Sequence, residues 1–162
     1  MTMSEQELSR NIPEFYGKKL RAKVSDALTT SHNIIFDITR IIKESLRDVL
    51  QSSRLNREET DNLLSVVIAN TFFAADEVGR DLGEVARGTL LGIIKTAKEL
   101  HLDVNELIGS AALAMLMESD WRDIDLRIVI ESTIKKSVPD GKDLLRKIFH
   151  SEEAPEGFRK AA

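Results

Sequence analysis

The fold is decided in the stretch D-L-G-E-V-A-R-G-T-L-L-G-I-I-K, from Asp81 to Lys95. Its apolar residues recur every three or four positions, which predicts a helix. Asp81 and Glu84 have the spacing of a capping box, so this helix should begin directly after Asp81. Three glycines lie inside the stretch, and each costs a helix about 1 kcal/mol relative to alanine. A helix that keeps them needs a packing reason to do so.

The two inner glycines of this helix, Gly88 and Gly92, are four residues apart. On a helical wheel of about 100° per residue they fall on the polar face. Small residues at this spacing let the backbone of another helix approach closely. We therefore predict a docking stripe for another helix of this chain or for a second subunit, made of Val85, Gly88, Leu91 and Gly92. The alternative interpretation is that the glycines are exposed and only weaken the helix.

A shift of the sequence by 22 residues places this segment on a second one, which begins at Asp103. Capping residues, apolar positions and small positions coincide, which is typical of a supersecondary unit used twice. A chance likeness between two stretches rich in alanine and leucine is the alternative. The matched positions include Asp81, Glu84, Val85, Gly88 and Gly92 in the first segment and Asp103, Glu106, Leu107, Ser110 and Ala114 in the second. Because the second segment is apolar or small nearly all round, with Met117 in place of charges, we predict that its helix is buried on every side.

The rest of the chain has the same helical character. Only three prolines and eight glycines occur in 162 residues, and no segment alternates apolar and polar residues for long enough to predict a strand. We therefore predict an all-α fold, a single compact bundle of about six to eight helices over residues 1–150. Residues 1–12 are expected to form a loosely packed turn, and residues 151–162 a flexible C-terminal tail.

Helix boundaries follow from caps and turn residues. Capping-box spacing recurs at Ser4 and at Asn56, Gly79 has the position of a left-handed helix end, and V-P-D-G at 138–141 is a turn signal. The predicted helices cover about 13–28, 32–52, 57–78, 121–137 and 142–150, besides the two that follow Asp81 and Asp103. We expect the helices that begin near residues 57, 81 and 103 to contribute most of the core.

Composition limits the classes of partner and chemistry. The net charge is −4 with both signs interspersed, so there is no broad basic face for nucleic acid. The chain has no cysteine, which excludes disulfides and thiolate chemistry. The most apolar runs are too short to span a bilayer. Since no signal peptide is evident at the start, we expect a soluble protein of the cytoplasm.

No group of residues has the pattern of a catalytic, metal or cofactor site. The acidic residues Asp120, Asp123 and Asp125 lack the glycine of a calcium loop, and favourable charge at a helix start explains them better. Residues 96–107 have the apolar spacing of a helix-turn-helix, but the second helix offers no lysine or arginine to DNA. The histidines lack the spacing of helical metal sites; they are His32, His101 and His150. We therefore predict no enzymatic activity and no cofactor.

Two other functions stay open. The basic cluster G-K-K-L-R-A-K at 17–23 adjoins an apolar stripe, so the N-terminal helix would suit a membrane or lipid-granule surface. A solvated helix face is the alternative. Asn70 interrupts an apolar helix and, if buried, needs hydrogen-bonding partners. It would then either specify the register between helices or line a small-molecule pocket. The apolar stripe of the N-terminal helix consists of Tyr16, Leu20, Val24 and Leu28.

The small-residue faces favour a non-enzymatic interaction protein over both alternatives. Such a protein would either self-associate as a homo-oligomer or act as a structural or adaptor protein for another protein. Neither the partner nor the biological process follows from the sequence.

Overall fold

The computed structural model describes the backbone of residues 5–119 and 124–149, and the side chains from Tyr16 onward within these ranges. The described chain is a compact all-helical bundle, which confirms the predicted fold class. Seven helices occupy these residues, within the predicted number. They are α1 (Glu5–Thr30), α2 (Ile34–Ser52), α3 (Arg57–Val78), α4 (Leu82–Glu99), α5 (Val104–Glu118), α6 (Ile124–Ser137) and α7 (Gly141–Phe149).

Helices α3, α4 and α5 begin directly after the residues that the capping pattern predicts. Glu59 N–H donates to Asn56 Oδ1 at 2.8 Å, and Asn56 N–H donates to Glu59 Oε1 at 3.2 Å, which completes a capping box. Asp81 and Asp103 accept hydrogen bonds from first-turn amides of α4 and α5. At its other end α3 stops at Gly79, whose φ of 75° is left-handed as predicted. These local signals place the two similar helices at the expected positions.

Other boundaries differ from the prediction. Helix α1 begins at Glu5, so residues 5–12 are helical rather than a turn. Helix α2 begins at Ile34 because Asn33 caps it, accepting a hydrogen bond from Phe36 N–H at 3.1 Å. The start that we predicted for α6, near residue 121, lies outside the described residues. The capping residue Ser4 and the tail 151–162 also lie outside them.

The helices pack mainly with their second neighbour along the chain. Helix α1 packs on α3, and α2 packs on α4. Helices α1 and α3 are parallel. Gly17, early in α1, faces Asn70, and further along both helices the Leu28 carbonyl accepts a hydrogen bond from the Arg80 guanidinium at 2.9 Å. Helix α4 lies at the centre and contacts α2, α3, α5 and α6. Helix α7 packs on α5 and α6 at the far side.

All seven helices supply buried apolar side chains to one core. Helix α4 contributes heavily, as predicted, because neighbours enclose it. The first two helices contribute more than predicted: among the eleven largest fully buried side chains, five come from α1 and α2. Those five are Leu20, Leu28, Ile38, Ile42 and Leu46.

Candidate interaction surface

The predicted docking stripe on α4 is closed by α2 of the same chain. A Cβ added at Gly92 would lie 2.8 Å from Ile42 Cβ, and one added at Gly88 would lie 2.9 Å from Ile38 Cβ. Since packed side chains do not approach so closely, any side chain at either position would push α2 away. The single proton of the Thr39 hydroxyl is shared between two carbonyl oxygens, that of Ile35 in its own helix at 2.6 Å and that of Gly88 in α4 at 3.1 Å. The missing side chains therefore make room for the α2 helix.

The four stripe residues have different environments. Val85, Gly88 and Gly92 are buried, and Leu91 is half-buried. The placement of the glycines on a polar face is wrong, because α4 is enclosed by four helices and glycine has no side chain whose polarity could mark a buried position. Of the two occupants predicted for the stripe, α2 is the one seen here. It leaves no surface for a second subunit at Gly88 and Gly92.

The matching face of α5 is open in the described part of the chain. We define the α5 face as Ser110, Leu113, Ala114 and Met117. The first three are half-buried, and Met117 is 65% exposed. The prediction that α5 is buried on every side is therefore wrong for this face. Its opposite side does pack into the core, where Ile108, Ala111, Ala112 and Met115 are fully buried.

The α5 face lines a groove between α3, α5 and α7, which we call the α5 groove. Two adjoining cavities of about 660 and 330 Å³ follow it, and both touch Asp61, Ser110 and Leu113. Gly109 borders the larger cavity, and a Cβ added there would lie 3.8 Å from Leu144 Cδ1, an ordinary contact. Charged and polar side chains line much of the larger cavity, whereas the smaller one is lined mainly by apolar groups, among them Leu113, Ala114 and Met117.

Charged side chains lie at the two ends of the α5 groove. At the end nearer Gly109, Arg57 Nε pairs with Glu106 Oε1 at 3.2 Å, and the exposed Lys147 lies beside them. At the end nearer Met117, the exposed Glu118 borders the smaller cavity. The first end thus carries both signs of charge, the half-buried Asp61 lines both cavities, and Glu118 places an exposed anion at the second end.

The N-terminal helix uses its apolar stripe inside the bundle. Leu20, Val24 and Leu28 are buried in the core, while Lys19 and Lys23 are exposed. A helix that binds a membrane surface needs its apolar face free, so the described part of α1 gives this alternative no support. Among the described residues there is also no helix long and apolar enough to cross a bilayer.

A third cavity, of about 300 Å³, lies between α1 and α2 and is bordered by Tyr16, Lys19, Lys23 and Asp48. Burial raises the pKa of the Tyr16 phenol well above its usual range, and the nearby Asp48 carboxylate adds to the rise. The phenol therefore stays protonated near neutral pH and is not available as a general base. This cavity offers no recognisable catalytic arrangement.

Asn70 is a junction between α1 and α3. Its Oδ1 accepts a hydrogen bond from Arg21 Nε at 3.1 Å, and its Nδ2 donates one to the Val66 carbonyl at 2.8 Å. The Arg21 guanidinium also lies 4.2 Å from the centre of the Phe73 ring. These contacts supply the partners that a half-buried amide needs. Because the oxygen and the nitrogen of the Asn70 side chain both have partners, this residue gives no support to a small-molecule site.

The other candidate groups do not converge on a site. His32 and His101 are exposed at helix ends, and Asp125 lies in the first turn of α6. Within the described ranges, no three histidine or acidic side chains are grouped as a metal ion would require. His150, Asp120 and Asp123 lie outside the described residues.

Sequence reasoning did not identify the α5 face as a surface. The available signal was a difference between the two segments: Met117 occupies the position that Lys95 occupies in the first one. Both positions are exposed. The charged Lys95 is typical of a helix surface in contact with water, whereas the apolar Met117 at the same position of α5 indicates an apolar surface.

No family model, curated protein or solved structure matches the chain. No relative therefore supplies an activity or a partner for it. Any function has to be argued from the fold and from the contacts of the α5 groove.

Proposed function

We propose that the chain is a non-enzymatic interaction protein, which binds a protein surface through the α5 groove. The observation that carries this proposal is Met117, which is 65% exposed where the matched residue of α4 is a lysine. Single exposed apolar residues are common on soluble proteins. Met117 continues Leu113 and Ala114 along one groove, and contiguous apolar surface is typical of interaction sites.

The physical gain would come from removing these side chains from water. Burial of one exposed methionine or leucine side chain contributes about 1.5–3 kcal/mol. Methionine is also flexible enough to fit partners of different shape. The contact of α2 with α4 supports the proposal, since it is an example in the same chain of a helix packed on the corresponding small-residue face.

Partner and location are parts of the same proposal. The partner is either a second copy or another protein, and the setting is the cytoplasm, as expected from the sequence. No basic surface for nucleic acid is invoked.

A photo-crosslinking amino acid at position 117 tests the proposal in the native cells. The matched control places the same amino acid at Lys95, which is exposed at the corresponding position of α4. We expect protein adducts at 117 and few at 95. A chain that also carries Ser110→Arg, which fills the groove next to the probe, should lose the adducts at 117.

The adducts must depend on the groove. Equal adducts at positions 95 and 117, or adducts that Ser110→Arg leaves unchanged, would show random collision and contradict the proposal. An absence of adducts at both positions would contradict it as well. The helical circular dichroism of each variant, measured on purified protein, shows that its bundle is intact.

A further inference from the structure

Helices α6 and α7 are antiparallel and leave a surface groove between them, which we call the α6–α7 groove. The Arg127 guanidinium lies 4.5 Å from the centre of the Phe149 ring, so the start of α6 meets the end of α7. At the other end of the groove, a Cβ added at Gly141 would lie 2.8 Å from the Ile134 carbonyl oxygen. The start of α7 therefore meets the end of α6. The groove between these two ends has a volume of about 300 Å³.

The α6–α7 groove carries an excess of positive charge. Among the described residues, four cations and one anion border it, and the anion, Glu131, already pairs with Arg127 at 3.2 Å. The other three cations are exposed and form no ion pair with any described residue; they are Lys135, Lys142 and Arg146. Asp143 follows one of them but does not border the groove. Three cations that share a groove without a free carboxylate favour the binding of an anion there.

The chain supplies an acidic segment at one end of this groove. Phe149 borders the groove and is the last described residue, and the sequence S-E-E-A-P-E follows at 151–156. This segment has three carboxylates and no cation, since Arg159 and Lys160 come after it. Pro155 cannot continue α7 as a helix, and it favours an extended conformation of the residue before it. The sequence thus places a short, extended anion directly after the basic groove.

The lengths of the groove and of the acidic segment agree. From Phe149 back to Lys142 the groove follows α7 for about 11 Å, at a rise of about 1.5 Å per residue. An extended chain spans about 13 Å from residue 152 to residue 156, and residues 150 and 151 remain for the reversal of direction. Because the segment is attached to the end of the groove, its effective concentration there is on the order of millimolar. A modest attraction is therefore enough to hold it.

We propose that the acidic segment 152–156 of the C-terminal tail binds the α6–α7 groove and covers its three free cations. A second copy of the groove is a poor occupant, because two basic surfaces repel each other. Exposed ion pairs are individually weak, so the bound tail exchanges with a free one and is released by salt. An acidic segment of another protein then binds here only by displacing the tail. The tail thus has a binding site, which its composition alone did not predict.

Paramagnetic relaxation enhancement in the full chain measures where the tail lies. The natural chain has no cysteine, so Ala154→Cys carries a single nitroxide label and keeps all three carboxylates. We expect the label to broaden the amide signals of residues 131–135 and 142–146. The α5 face, on the other side of α7, is the internal control and should be broadened less. Equal broadening on both sides of α7 would show a tail without a binding site and would overturn the proposal.

Two matched variants of the labelled chain test the role of charge. Lys135→Gln combined with Lys142→Gln removes two free cations of the groove and should abolish most of the extra broadening there, and added salt should have the same effect. The control combines Lys95→Gln with Lys98→Gln, which changes the net charge equally on α4 and should leave the broadening unchanged. All four lysines are exposed, so the bundle should stay folded, and the amide spectrum of each unlabelled variant checks this.

Broadening that persists in the groove variant, or that falls equally in both variants, would contradict a specific contact with the groove cations. In the first case the tail would lie there for another reason than charge. In the second case only the net charge of the protein would matter.

A free peptide with the sequence of residues 150–157 tests competition between the tail and an outside acidic segment. Its binding is measured by the amide shifts of α6 and α7 in the full chain. A chain with Glu152→Gln, Glu153→Gln and Glu156→Gln has a neutral segment and should bind the peptide about tenfold more tightly than the natural chain does. Equal binding to both chains would mean that the groove is open to an outside acidic partner and that the tail is the wrong occupant. No binding to either chain would overturn the site itself. None of these results depends on the α5 groove, so this proposal and the proposed function fail separately.

Discussion

Helices α4 and α5 carry the same order of cap, apolar and small positions, yet within the described ranges only α4 has its small-residue face covered by another helix. Their core-facing positions match: Val85, Ala86, Leu90 and Ile93 of α4 are buried, and so are the residues that follow each of them by 22 positions. The two helices diverge on the other side. There α2 covers Gly88 and Gly92, while the α5 face stays open among the described residues.

The difference shows that small residues permit a close contact without producing one. On α4 the small positions are two glycines, and α2 packs two isoleucines and a threonine against them. On α5 the small positions are Ser110 and Ala114, whose side chains would keep a packed helix slightly further away than glycines would. No helix of the described chain lies over it. A helix at the centre of a bundle and a helix at its edge therefore use one pattern differently.

The largest expected effect is obtained with Gly92→Ala, which tests the covered face. The new Cβ would meet Ile42 Cβ at 2.8 Å and the Thr39 carbonyl oxygen at 2.9 Å. Overpacking of this kind costs about 1–3 kcal/mol, which exceeds the gain from replacing a helical glycine. We expect a lower free energy of unfolding, measured by urea denaturation at constant protein concentration.

The matched control is Gly109→Ala on α5, where the added methyl group has room. Only the gain in helix propensity then applies, so the free energy of unfolding should rise by about 0.5–1 kcal/mol. The same substitution thus has opposite signs on the two helices. If both variants were stabilised, α2 would not be packed on Gly92 as closely as described.

A smaller effect is expected for the hydrogen bond that joins α2 to α4. Thr39→Val keeps the shape of the side chain but removes the hydroxyl whose proton is shared between the Ile35 carbonyl at 2.6 Å and the Gly88 carbonyl at 3.1 Å, which should lower the free energy of unfolding by about 1 kcal/mol. The control is Thr71→Val on α3. The Thr71 hydroxyl is buried and has no hydrogen-bond partner in the described residues, so its removal should be neutral or stabilising. Equal losses in both variants would show that the hydrogen bonds of the Thr39 hydroxyl contribute nothing.

Much of the local structure was predictable because its causes are local. Asn56, Asp81 and Asp103 cap their helices through amides two or three residues away. Gly79 ends α3 because a residue without Cβ adopts a positive φ at little cost. At the end of α4 the corresponding residue is His101, with φ of 56°. That position was not predicted, since histidine is not a usual residue for a left-handed helix end.

The packing was harder to predict because its causes are distant in sequence. Thr39 and Gly88 are 49 residues apart, and no pattern within α4 indicates that α2 will be its neighbour. The hydropathy of α5 led to the wrong prediction that this helix is buried on every side. Hydropathy indicates which side chains tolerate burial, whereas actual burial depends on whether another helix packs against them. The interaction residues of α4 were therefore found by their small size, and the open face of α5 only by the structure.

The smallest expected effect is electrostatic and also belongs to the α2–α4 contact. Lys43 of α2 pairs with Glu99 of α4, and this hydrogen bond is the main reason that the pKa of the Glu99 carboxyl is lowered from its usual value of 4.5. A lowered pKa means that the folded state favours the ionised carboxylate. The stabilisation is therefore fully present above about pH 4.5 and is lost as the pH falls through the lowered folded-state value.

We expect Glu99→Gln to be slightly less stable than the natural chain at pH 7, and the difference to disappear as the pH falls through the lowered pKa of the Glu99 carboxyl. Because the carboxylate is largely exposed to solvent, added salt should shrink the difference at pH 7. Lys43→Met serves as the matched variant. In the Lys43→Met background, Glu99→Gln should have almost no pH-dependent effect, since the carboxylate has already lost its main partner. Urea denaturation of the four chains across this pH range measures the coupling, and a difference that is constant from pH 3 to pH 7 would assign the effect to packing rather than to the ion pair.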